Sequence, residues 1–165
     1  MEGRSFEGRR NPPPPEERVL VDSSLWIEYY RPSGRRTIQS SLREAIARDR
    51  VGIMAMILIE VLRGALSRES YESLESDLTA LHWLEVTSRV ARRGAETGFQ
   101  LERAGNRVPA TDLLIAATAV EYGYTLWHDD GHFEVIAEHT PLDQRRFRVT
   151  EEGPPAAGHE DPLAL

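Results

Sequence analysis

The sequence predicts an α/β protein: a central, mostly parallel sheet covered by helices on both faces, which makes three layers, α/β/α. Three observations predict it. Short apolar runs of strand length alternate with segments of helical periodicity, the pattern of strands joined by helical crossovers. At 165 residues the chain suits one domain with a core large enough to hold itself together. It contains no cysteine, so packing must do what disulfides or thiolate-bound metal do elsewhere.

Each element follows from its residues. "RVLVDSS" is a buried-strand signature that ends in an acid, and Ser23 or Ser24 is placed to cap the short helix "LWIEYY". A helix over 41–48 and a second strand, "VGIMA", come next. A helix through "ILIEVLRGAL" and another over 71–81 lead to a third strand, "HWLEVT". The helix through "VARRGAETGFQLERAG" closes at Gly105, a residue suited to the left-handed position past a helix end. "PATDLLIAATAVEYG", residues 109–123, is a further helix, almost wholly apolar except for Asp112 in its first turn. A fourth strand, "YTLWH", and a brief helix, "HFEVIAEH", complete the pattern.

Composition narrows the function classes. Without cysteine there is no thiol nucleophile, disulfide framework or thiolate metal site. The longest apolar run, "VGIMAMILIEVL", is interrupted by Glu60 and falls short of a membrane span, and the N-terminus lacks the apolar core of a signal peptide. A soluble, cytoplasmic protein without membrane contact is expected. All 20 basic residues are arginine, and the net charge of -7 belongs in good part to the two ends. Residues 1–17 are read as a disordered Pro-rich tail, 18–147 as the folded domain, and 148–165 as an acidic tail, also disordered.

In a parallel sheet, ligands bind beyond the C-terminal strand ends, where the strand order reverses. Asp22 ends the first strand, Glu60 lies in the turns after the second, and Asp129 and Asp130 follow the fourth. Asp112 opens the helix that feeds that fourth strand and reaches the same edge. Any one of these acids has an ordinary explanation: a turn out of a strand for Asp22, an exposed helix position for Glu60, a helix-end anion for Asp112. Together they would repel one another, and a divalent cation is the economical remedy. Oxygen donors favour Mg²⁺ or Mn²⁺.

"VLVDSSLWIEYYR", "LIEVLRGA", "VPATDLLIAATAVEYG" and "TLWHDDGHFEVIA", in that order and spacing, resemble the PIN domain of VapC-type toxins over roughly residues 18–147. The resemblance implies a PIN-like α/β/α fold. It implies a Mg²⁺- or Mn²⁺-dependent endoribonuclease, the toxin of a type II toxin-antitoxin pair, inhibited by a small VapB-type antitoxin and usually dimeric. It places the metal-binding and catalytic acids at Asp22, Glu60, Asp112 and Asp130. The chain departs from the pattern in "DGHF", where His132 stands in place of a second acid and Asp129 is an additional one, and in Ser23, where a threonine is common.

Other residues carry weaker expectations. Ser23, Arg63 and Arg107 are candidates for contact with the RNA substrate, with Arg31, Arg35 and Arg36 as further cations for phosphate. His128 and His132 flank two aspartates, which suits either a transition metal or, as the reading preferred here, two loop residues near the substrate. Trp26, Tyr29 and Tyr30 form one aromatic stripe at helical spacing, for core packing or for a groove that receives a partner helix. Two alternative functions share these residues: a catalytically silent interaction module on the same fold, and a metal-dependent nuclease or phosphatase with another substrate.

Overall fold

The computed structural model describes residues 17–148. The expected tails therefore lie outside the described residues except for Glu17 and Arg148, and both of these meet the fold. Arg50 Nη1 donates to the Glu17 carbonyl at 3.3 Å, and Arg148 Nη2 donates to Glu134 Oε1 at 2.7 Å.

In chain order the elements are β1 (Val19–Val21), α1 (Ser23–Tyr30), α2 (Arg36–Ala47), β2 (Val51–Ile53), α3 (Ala55–Leu62), α4 (Arg68–Thr79), β3 (His82–Trp83), α5 (Ser88–Arg103), α6 (Ala110–Tyr122), β4 (Thr125–His128), α7 (Gly131–Ala137) and β5 (Gln144–Arg146). The strands form one sheet in the order β3-β2-β1-β4-β5, with every neighbouring pair parallel. Val19, Leu20 and Val21 are wholly buried because β1 is central and covered on both faces, and that is why they form a continuous apolar run.

Right-handed crossovers put the helices of the β1–β2–β3 half on one face and those of the β3–β4–β5 half on the other. The packing agrees: α1 lies against α2 and α3, and α3 against α4, while α5 packs on α6 and α6 on α7. The chain leaves β1 toward β2 and leaves β4 toward β5, in opposite directions. The switch point lies between the C-terminal ends of β1 and β4. There the Asp22 N–H donates to the Trp127 carbonyl at 2.9 Å and fixes the two strand ends together.

Glycine matters at two close positions. Gly123 ends α6 in the left-handed conformation (φ 68°), which turns the chain into β4. Gly52 in β2 leaves room for Tyr124 and Leu84, since a Cβ there would lie 2.8 Å from the Tyr124 ring.

Four expectations need correction. Asp22 itself, not a serine, caps α1, its carboxylate accepting from the Ser24 N–H. Helix α2 begins at Arg36 rather than 41, and its buried residues Ile38, Leu42 and Ala45 do carry the helical spacing that marks it. The third strand shrinks to His82–Trp83, both exposed, because it is an edge strand. A fifth strand, β5, was not expected. Its residues are Gln, Arg and Arg, and only backbone pairing with β4 defines it. No helix among the described residues is long and apolar enough to cross a membrane.

Candidate active site

Asp22 is 7 % exposed, and its geometry follows from the strand-to-helix turn. The carboxylate Oδ2 accepts from the Ser24 N–H at 3.1 Å and from the Ser24 hydroxyl at 2.6 Å. Both bonds fall on one oxygen, so Oδ1 has no donor among the described residues. Ser23, the expected substrate contact, is partly exposed as the first residue of α1, and the serine that holds Asp22 is Ser24.

Asp130 arrives from the other side of the switch point as the N-cap of α7. Its Oδ1 accepts from the His132 N–H at 2.8 Å. Its own N–H donates to His128 Nδ1 at 3.2 Å. Because Nδ1 accepts, the proton of the neutral His128 ring sits on Nε2, which donates to Gln144 Oε1 at 2.7 Å. His128 is wholly buried at the end of β4 and His132 lies in the first turn of α7, so neither is a loop residue.

Asp112 enters from the first turn of α6. Its Oδ2 lies 2.9 Å from His132 Nδ1, and the same nitrogen lies 3.4 Å from Asp130 Oδ1. The donor atoms of Asp112, Asp130 and His132 all fall within 4.8 Å of one another. Burial pushes the Asp112 carboxyl above the usual carboxylate range; the hydrogen bond from His132 opposes this, and the charges of Asp130 and Asp22 add to it. That influence places Asp22 in the same electrostatic neighbourhood. Glu60 is partly buried on α3, a helix that packs on both α1 and α6, but it lies outside the group of three.

These residues fit a divalent cation. Asp22, Asp112 and Asp130 have no arginine partner among the described residues, although arginine is abundant in the chain. A half-buried acid whose charge is disfavoured, beside two others, is relieved by a positive ion.

Asp129 does something else. Its Oδ2 accepts from Arg35 Nη2 at 2.8 Å, and Arg146 Nε lies 3.6 Å from Oδ1. Arg146 pairs in turn with Glu134, and Arg35 also donates to the Phe147 carbonyl at 2.8 Å. Arg35 is thus committed to the fold rather than open to phosphate. Arg31 pairs with Glu28 and Arg107 with Glu102, while Arg63, exposed at the end of α3, has no ion pair among the described residues. Of the two readings of the aromatic stripe, core packing holds for its first ring. Trp26 is 1 % exposed and belongs to the core, and the half-buried Tyr29 and Tyr30 pack on it with ring centroids 5.8 and 6.0 Å away.

Sequence reasoning missed the link from His132 to Asp112 and the Arg35–Asp129–Arg146 clamp. Each joins residues far apart in the chain, and the polar β5 that supplies Arg146 gave no apolar signal.

A five-stranded parallel sheet with helices on both faces and carboxylates gathered at its switch point defines the class, and comparison with known proteins gives the family. The PIN domain matches residues 19–139, from β1 through α7. Ribonuclease VapC11 of Mycobacterium tuberculosis is 34 % identical over 135 residues, which cover 79 % of this chain and 99 % of that one. Ribonuclease VapC51 of the same organism is 32 % identical over 123 residues, 73 % and 85 % of the two chains. Among solved structures, a chain of VapBC2 from Rickettsia felis, crystallised on a DNA fragment from its promoter, superposes with a TM-score of 0.65 at 19 % identity. It covers 78 % of this chain and 98 % of that one. The chain belongs to the VapC ribonucleases of the PIN domain family.

Proposed function

We propose that this protein is a divalent-metal-dependent endoribonuclease, the cytoplasmic toxin of a toxin-antitoxin pair, held in check by a VapB-type antitoxin and active as a homodimer. The observation that carries the reading is the grouping of Asp112 and Asp130 in the neighbourhood of Asp22 at the switch point, with no arginine partner among the described residues. The relatives named ribonucleases supply the substrate class.

In this reading Asp22, Glu60, Asp112 and Asp130 hold Mg²⁺, with Mn²⁺ able to replace it. When bound, the ion supplies charge stabilisation to the phosphodiester and acidifies the attacking water. The residues of the chain do the positioning. Ser24 keeps one Asp22 oxygen occupied, so the carboxylate presents its other oxygen in a fixed direction. His128 anchors the backbone of Asp130. Glu60, supplied by α3, completes the set from the α1 and α6 side. Ser23, Arg63 and Arg107 are proposed to meet the RNA, with Arg63, which has no ion pair among the described residues, three residues beyond Glu60.

The test is incubation of the full, antitoxin-free protein with total RNA, with and without Mg²⁺ or Mn²⁺, followed by mapping of new ends. Labelled DNA and small phosphate esters run alongside. Metal-dependent cleavage confined to RNA supports the reading. Cleavage of the other substrates transfers it to another phosphodiesterase class, and inert protein that still binds antitoxin makes it an interaction module.

A further inference from the structure

We propose that His132 is itself a ligand of the metal site, and that its imidazole makes the site select a transition metal, Mn²⁺, over Mg²⁺. The inference rests on the metal-dependent reading above and changes its preferred ion from Mg²⁺ to Mn²⁺.

The geometry is that of neighbouring ligands. His132 Nδ1 lies 2.9 Å from Asp112 Oδ2 and 3.4 Å from Asp130 Oδ1. Adjacent donors on an octahedral ion with bonds of ~2.1 Å stand ~3.0 Å apart. His132 Nδ1 therefore already stands at about that spacing from both carboxylates, and the three donor atoms lie within 4.8 Å of one another.

Hydrogen bonding alone does not account for the arrangement. Nδ1 carries at most one proton, and the 2.9 Å contact gives it to Asp112. Among the described residues Asp130 Oδ1 receives only the His132 backbone N–H, and it stands 3.4 Å from Nδ1 without that nitrogen's proton. A cation shared by the three donors satisfies both carboxylates at once. The exchange is inexpensive for His132, whose side chain is 43 % exposed, leaving the other ring nitrogen a route to water. The first turn of α7 sets Asp130 and His132 together, since that backbone N–H bonds the Asp130 carboxylate.

The donor set then decides the metal. Mg²⁺ demands oxygen ligands and gives up water reluctantly, whereas Mn²⁺ accepts carboxylate and imidazole together. His128 does not compete for this role, because both of its ring nitrogens are engaged, with the Asp130 N–H and with Gln144.

The experiment uses the full, tag-free protein. Titration calorimetry compares Mn²⁺ with Mg²⁺ for wild type and His132→Asp, and pulsed EPR of the Mn²⁺-loaded protein looks for nitrogen coupling. Wild type is expected to bind Mn²⁺ at least about tenfold more tightly than Mg²⁺, with the ratio falling several-fold in the variant. Nitrogen coupling is expected in wild type and absent in His132→Asp. No nitrogen coupling in the wild-type spectrum, or an unchanged Mn²⁺/Mg²⁺ ratio in the variant, overturns the proposal. Should His132→Asp fail to fold, the wild-type spectrum alone decides. RNA cleavage is scored separately. Cleavage without nitrogen coupling removes this inference and keeps the nuclease, and nitrogen coupling without cleavage does the reverse.

Discussion

Asp129 and Asp130 are adjacent in the chain and point into different chemistry. Asp129 takes a 2.8 Å bond from Arg35 Nη2, while Asp130 faces His132 Nδ1 at 3.4 Å, beside Asp112. One acid is neutralised by arginine that ties α2 and β5 to the end of β4. The other is left for the candidate metal site.

That division predicts opposite results from two asparagine substitutions. Asp129→Asn takes one carboxylate from Arg35 and Arg146, which keep the Phe147 carbonyl and Glu134, and should cost about 1 kcal/mol of stability with metal affinity largely kept. Asp130→Asn should leave metal-free stability nearly unchanged and abolish most of the metal-induced rise in melting temperature. Melting curves in EDTA and in Mn²⁺ for both variants check this. A metal response lost in Asp129→Asn and kept in Asp130→Asn would exchange the two roles.

Asp112 gives a pH dependence. Its folded-state pKa lies above the ordinary 3.8, chiefly through burial. The folded protein therefore takes up this proton first as pH falls. Ionised Asp112 costs stability at neutral pH, and the cost is relieved as pH drops through the raised pKa, fully so below 3.8. In EDTA, Asp112→Asn should be at least as stable as wild type at pH 7, with the difference closing in acid. With metal at a hundredfold excess over Kd, wild type should gain about 2.7 kcal/mol, and the variant should lose most of that gain. RNA cleavage should fall by orders of magnitude. Denaturant titrations across pH, with and without metal, measure the first two; an active variant with an undiminished metal response would make Asp112 a simple helix-end anion.

His128 is predicted to act through Asp130. His128→Leu removes the acceptor for the Asp130 N–H and the donor to Gln144, and should lower stability by about 2 kcal/mol. Metal affinity should fall with it, because the turn that aims Asp130 loses its anchor. Calorimetry on the folded variant reads this, and unchanged affinity would show that α7 alone sets Asp130.

The aromatic stripe separates core from surface. Trp26 is 1 % exposed, and Trp26→Ala should cost about 3–5 kcal/mol. Its neighbour Ile27 is 48 % exposed, and Ile27→Ala should cost less than about 1 kcal/mol. Chemical denaturation compares the two; similar small losses would return Trp26 to the surface.

Much of the fold was legible because it follows from local pattern. Four apolar runs gave four strands, and helical spacing gave most of the helices. Gly105 and Gly123 stand in the left-handed positions where α5 and α6 end. The parallel topology followed from alternation, and with it the edge where Asp22, Asp112 and Asp130 gather. The sequence by itself therefore determined the parallel character of the sheet and the edge at which the acids were expected, since periodicity and chain connectivity act over a few residues at a time.

Only the tertiary structure decided the rest. β5 has no apolar face to announce it, and its existence depends on backbone bonds to β4. The choice between Asp129 and Asp130 depends on Arg35 and Arg146, from distant segments, taking one acid and leaving the other. His132 meets Asp112 across 20 residues because α6 and α7 start at the same end of the sheet. Contacts of this kind are set by which side chains the packed helices bring within reach, and no local pattern encodes that distance.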